Sequence, residues 1–78
     1  MVSPGTAVAP AEPIITRREE EVLQQIADGY STTETAAKLY ISVKTVKNHL
    51  ASIYQKLDTA DRTQAVVRAV RMGIIRLD

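Results

Sequence analysis

The 78-residue sequence has no cysteine, no tryptophan and no phenylalanine, and only three glycines and three prolines. Without cysteine there is no disulfide, no thiolate metal site and no cysteine nucleophile, a composition that suits a reducing compartment. Tyrosines 30, 40 and 54 are the whole aromatic complement, too few for a platform on which single-stranded bases stack. No apolar run approaches the roughly 20 residues of a membrane span. The opening residues have neither the basic start nor the apolar core of a signal peptide. The glycines are scattered at positions 5, 29 and 73, so no glycine-rich phosphate loop exists. Net charge is only +1, so the overall balance does not argue for nucleic acid. A chain of this length holds one small domain, whose modest core leans on well-formed helices or on a partner.

What is present is order along the chain. All three prolines and one glycine fall within residues 1–13 among mostly small side chains, which cannot bury a face. Residues 1–14 therefore read as a flexible or semi-extended linker or leader, and residues 15–78 as the domain. Thr16-Arg17-Arg18-Glu19 is a capping box, and Val22, Leu23, Ile26 and Ala27 give the helix it opens an apolar stripe. That helix ends near Asp28, with Gly29 at the left-handed stop. Ser31-Thr32-Thr33-Glu34 is a second box, opening a shorter helix to Leu39 or Tyr40 with Ala36, Ala37 and Leu39 as its apolar contribution. Ser42 caps a third helix ending at Leu57. Asp61-Arg62-Thr63-Gln64 caps a fourth that runs to about Met72 and stops at Gly73. No alternation of the strand type is visible, so the fold class is all-α, with four helices.

The third helix organises the rest. Val43, Val46, Leu50, Ile53 and Leu57 fall on one side at helical spacing. The opposite side carries Lys44, Asn48, Ala51 and Gln55, with Lys47 on one shoulder and Thr45, Ser52 and Lys56 on the other. Between Thr35 and Leu57 there are four lysines and no acid, whereas Glu19, Glu20 and Glu21 cluster early. A short helix, a tight turn and a longer helix with such a front form a helix-turn-helix pattern, and the front suits the major groove of DNA. The fourth helix has more apolar positions than one small core needs, which points to a second subunit.

Other chemistry finds no support. His49 is the only histidine and has no second His or Cys for metal ligation, nor an acid in its own helix to orient it as a general base. Consecutive carboxylates at Glu19 to Glu21 diverge around a helix and serve capping and the helix dipole. The expectation is a protein that is not an enzyme and takes no metal or cofactor.

The run of residues closely resembles the LuxR/FixJ/NarL-type (GerE-like) helix-turn-helix DNA-binding domain of bacterial transcription regulators. The resemblance is carried by Ile15-Thr16, Arg18-Glu19, Glu21-Val22-Leu23, Ile26-Ala27 and Gly29, then Ser31, Glu34, Ala36, Leu39 and Ile41-Ser42. It continues through Thr45-Val46-Lys47, His49, Ile53, Lys56-Leu57, Arg62-Thr63, Ala65-Val66, Ala69 and Gly73-Ile74-Ile75 without a gap. It implies an output domain of a response-regulator type of protein, working in the bacterial cytoplasm as a homodimer on double-stranded DNA. By position, Lys44, Lys47 and Asn48 match places of base contact. Ser31, Thr32, Thr33, Ser42, Thr45, His49 and Lys56 match or extend the places of backbone contact. Val67, Val70, Arg71 and Ile74 on the fourth helix are the expected dimer contacts. The implied mechanism is recruitment or blocking of RNA polymerase. Two departures stand out. Thr35 occupies a place where an apolar residue is usual, and Thr32-Thr33 replaces the common Asn-Lys, so weaker nonspecific binding is expected. Two rival readings are a protein-interaction module that keeps the fold, suggested by the acidic first and apolar last helices, and promoter recognition like region four of a sigma factor.

Overall fold

The computed structural model describes residues 15–77, so the expected linker at 1–14 lies outside the described residues. Four helices follow one another: α1 Arg17–Ala27, α2 Thr32–Leu39, α3 Val43–Leu57 and α4 Arg62–Arg71. No strand occurs among the described residues.

Each helix starts on a side-chain cap. Thr16 and Ser31 form full capping boxes with Glu19 and Glu34, each hydroxyl accepting from the glutamate N–H while the carboxylate accepts from the cap N–H. Ser42 Oγ accepts from Thr45 N–H at 3.0 Å, and Asp61 Oδ1 accepts from Gln64 N–H at 2.9 Å. The Gln64 side chain turns one residue further back, its Oε1 accepting from Ala60 N–H at 2.9 Å. These bonds satisfy amides that no helical carbonyl reaches.

Each helix also ends in the same way. A residue with positive φ is followed by an N–H that returns to a carbonyl five positions earlier: Tyr30 to Gln25, Ile41 to Ala36, Thr59 to Tyr54, and Ile74 to Ala69. At two of the four ends the left-handed residue is glycine, Gly29 and Gly73. At the other two it is Tyr40 (φ 59°) and Asp58 (φ 55°), which carry the Cβ penalty that glycine avoids.

The core gathers on α3. Val46, Leu50, Ile53 and Leu57 are buried, with Val43 half-buried at the open end. They meet Val22, Leu23 and Ile26 of α1, Ala36 of α2, and Ala65 and Ala69 of α4, while Ile15 before α1 and Ile75 after α4 join the same core. Alanines at 65 and 69 share one face of α4 and let it approach closely. The expectation for α2 needs one correction. Ala37 is exposed, and the inward place is taken by Thr35, which is fully buried. Its hydroxyl has no hydrogen-bond partner among the described residues.

Two polar contacts tie distant parts of the chain together. Gln24 of α1 grips the main chain at Arg76, donating to its carbonyl at 2.8 Å and accepting from its N–H at 3.0 Å. Arg68 of α4 donates to the Leu57 carbonyl at the end of α3 at 3.1 Å. With α1, α2 and α4 all packed on it, α3 turns one long side to solvent.

Candidate nucleic-acid interface

The exposed side of α3 is where the sequence pattern meets the structure. Lys44, Lys47, Asn48, Ala51 and Gln55 are all exposed, and no acid lies between Ser42 and Leu57. Lys44, Lys47 and Asn48 stand three and four residues apart, so their stems rise from neighbouring points of one helical surface. A 15-residue helix is about 22 Å long, enough to lie in a groove roughly 12 Å wide with side chains to spare at both ends.

The short polar groups at the helix starts are already partly engaged. Ser42 Oγ and Thr45 Oγ1 are 2.8 Å apart and share one proton between them, which leaves the second hydroxyl proton for an outside acceptor. Ser31 Oγ accepts from Glu34 N–H at 3.0 Å and keeps its own proton to donate. Thr33 is exposed, whereas Thr32, Thr45 and His49 are half-buried. Both α2 and α3 therefore begin with a hydroxyl beside a helix N-terminus, where the helix dipole favours an oxyanion.

Lys56 has a structural engagement that sequence reasoning missed. Its ammonium lies 2.8 Å from Glu19 Oε1, linking the end of α3 to the first turn of α1. Burial alone would raise the Glu19 pKa. The Lys56 hydrogen bond, the Thr16 N–H, the Ser52 hydroxyl and the Lys56 charge outweigh it and lower the pKa to about 2. Glu19 thus stays ionised, and one of the three lysines of α3 is partly neutralised before any ligand arrives. No spacing rule signals this pair, since the partners are 37 residues apart. Lys38 is also engaged, its ammonium 4.4 Å from the centre of the Tyr30 ring.

On α4, Val70 and Ile74 are half-buried, while Val67 and Arg71 are exposed, Val67 by 44% of its surface. Of the expected dimer residues, Val67 and Arg71 thus face outward, whereas Val70 and Ile74, the latter just beyond the end of α4, also pack against the core.

A short helix, a tight left-handed turn and a second helix displayed on a three-helix support define a helix-turn-helix domain of the DNA-binding class. Residues 13–69 match the family described as bacterial regulatory proteins, luxR family, and the chain belongs to that family. Among its relatives, the transcriptional regulatory protein DegU of Brevibacillus brevis is 53% identical over 64 residues, covering 82% of this chain and 27% of DegU. The spore germination protein GerE of Bacillus subtilis is 43% identical over 67 residues, covering 86% of this chain and 90% of GerE. The solved structure of the transcription factor GerE superposes with a TM-score of 0.82 at 39% identity, over 86% of this chain and all of that one. The response regulator ChrA of a heme-sensing two-component system gives a TM-score of 0.76 at 44% identity, over 78% of this chain and 30% of that one. The chain thus spans less than a third of the longer regulators and nearly all of GerE. The relatives are transcription regulators, and the all-α fold and the LuxR-type resemblance stand on these matches.

Proposed function

We propose that this chain is a sequence-reading output domain that lays α3 in the major groove of double-stranded DNA. The observation that carries this reading is the one-sided display of α3: its apolar stripe is fixed on three helices, and its opposite side is exposed, basic and free of acid. Lys44 and Lys47 donate to guanine edges, and Asn48 pairs with an adenine edge. Ser31, Thr32, Thr33, Ser42, Thr45 and His49 hold phosphates and set the register of α3. Lys56 adds to this from the end of α3 with the ammonium hydrogens that Glu19 leaves free. Two copies meet through Val67, Val70, Arg71 and Ile74 and bind half-sites related by two-fold symmetry. The domain then acts in the bacterial cytoplasm by recruiting or blocking RNA polymerase, with no chemistry of its own.

Selection from random duplex DNA, followed by sequencing at moderate salt, tests the reading. Enrichment of a two-fold-related motif is expected. Lys47→Ala should cost about 1–3 kcal/mol on that motif and relax the preference at one position. A Lys47→Ala variant with unchanged affinity and preference would remove Lys47 from the base-reading set. Absence of any enriched motif, with no binding even at low salt, would overturn the DNA reading as a whole.

A further inference from the structure

Glu19 is the one buried acid among the described residues, and the DNA reading gives it no part. Its Oε1 accepts from Thr16 N–H at 3.0 Å and from the Lys56 ammonium at 2.8 Å, so one oxygen joins the start of α1 to the last turn of α3. The Ser52 hydroxyl, one turn earlier on α3, bonds to the same carboxylate. Both ends of this bridge are fixed. Glu19 is locked into the capping box of α1. Lys56 precedes Leu57, which is buried in the core and whose carbonyl is taken by Arg68. The Lys56 side chain keeps 33% of its surface exposed against 6% for Glu19, so the ammonium reaches solvent from a buried anchor.

The other lysines of α3 are not held in this way. The ion pairs among the described residues are Lys56–Glu19 and the exposed Arg18–Glu21 within α1, which leaves Lys44 and Lys47 unpaired. A lysine with a free four-carbon stem follows any phosphate within its reach, and so adds affinity in every register. A lysine held at its tip meets a phosphate only when the helix is seated at one depth and angle. The adjoining carboxylate also cancels part of its pull on more distant phosphates.

We propose that Glu19 is a positioning residue for DNA recognition, holding Lys56 in one place so that this cation serves the seated complex and contributes little to loose, register-free binding. The assignment rests on the reading that α3 enters the major groove, and it gives Lys56 to discrimination rather than to general attraction. Glu19 touches no DNA. It acts through Lys56, whose ammonium has two hydrogens left for a phosphate oxygen. Specificity is a difference between two affinities, so a cation withheld from the wrong complex widens it as much as one added to the right complex.

Fluorescence anisotropy on the full 78-residue chain compares two duplexes of equal length, one carrying the motif recovered by selection and one with that motif scrambled. Glu19→Gln keeps the side-chain length and the cap, since glutamine also closes a capping box, and removes only the charge. It should bind the scrambled duplex roughly threefold more tightly and the motif duplex no more tightly, so that discrimination falls. Lys56→Gln should weaken binding to the motif duplex by a larger factor than to the scrambled one. In the Glu19→Gln background the same change should weaken both equally, and that non-additivity isolates the pair. Thermal unfolding sets a temperature at which the variants are folded. If Glu19→Gln does not fold, Lys56→Gln decides alone, because its carboxylate partner keeps the bonds to Thr16 and Ser52. Glu19→Gln weakening both duplexes by one factor, or neither, would overturn the proposal, since a purely structural bridge has that signature. So would Lys56→Gln weakening both equally in the parent. Equal binding of the two duplexes by the parent itself would sink the DNA reading, and this proposal with it.

Discussion

Replacing Thr35 by valine exchanges a hydroxyl for a methyl at nearly constant volume and keeps the branching at Cβ. Thr35 is fully buried between α2 and the core, and its Oγ1 has no partner among the described residues. A buried hydroxyl without a hydrogen bond costs about 1–3 kcal/mol relative to an apolar group of the same shape. Helix propensities of threonine and valine are nearly equal, so the backbone contributes little to the difference. Thr35→Val should therefore raise the unfolding free energy by about 1–3 kcal/mol. For a domain of this size that is a rise in Tm of about 4–8 °C per kcal/mol. Urea unfolding followed by circular dichroism reads the effect directly, with the midpoint rising and the slope unchanged. An equal or lower midpoint would refute the argument and show that the hydroxyl is satisfied, by a water or by a carbonyl one turn back. Because Thr35 faces the core, the variant should leave the DNA binding proposed for α3 unchanged.

Acid should weaken the link between α1 and α3. Glu19 has a folded pKa of about 2 against an ordinary 4.5, so its contribution is complete above pH 4.5 and is lost as pH falls through 2. At about 1.36 kcal/mol per unit this amounts to up to about 3 kcal/mol. Glu19→Gln should flatten the pH dependence of urea midpoints between pH 5 and 2, and a slope equal to the parent's there would count against the pair. Tyr40 is 94% exposed with φ at 59°, so Tyr40→Gly removes no packing and relieves the left-handed backbone. A gain of about 0.5–1 kcal/mol is expected in thermal unfolding, and a loss would mean that the ring is held by contacts of its own. Gln24→Ala removes both bonds to Arg76 and should cost about 1–2 kcal/mol. Faster amide exchange at residues 74–76 than in the parent would place that loss at the chain end, and unchanged exchange would contradict it.

The four helices were legible in the sequence because their ends are decided locally. A cap such as Thr16, Ser31, Ser42 or Asp61 acts three residues along the chain, so residue type and spacing are sufficient to place it. The same holds for the exposed side of α3, since helical period alone puts Lys44 and Asn48 opposite Val46, Leu50 and Ile53. Glycine announced two of the four stops; Asp58 tolerates the left-handed region better than most residues, but Tyr40 is not left-handed by preference. The conformation of Tyr40 is set by the close turn from one packed helix into the next, which no local rule contains. The exposure of Ala37 follows from how α2 rolls on α1 and α3, a rotation that a run of small residues leaves undetermined, whereas the buried place of Thr35 agrees with the family resemblance, which has an apolar residue there. The partners of Glu19 and Gln24 lie 37 and 52 residues away. Sequence by itself determined where each helix begins and which side of α3 is polar, because those are near-neighbour effects. The tertiary structure decided which charges were already spent on holding α1, α3 and the chain end together, because only packing brings such distant groups within hydrogen-bond reach.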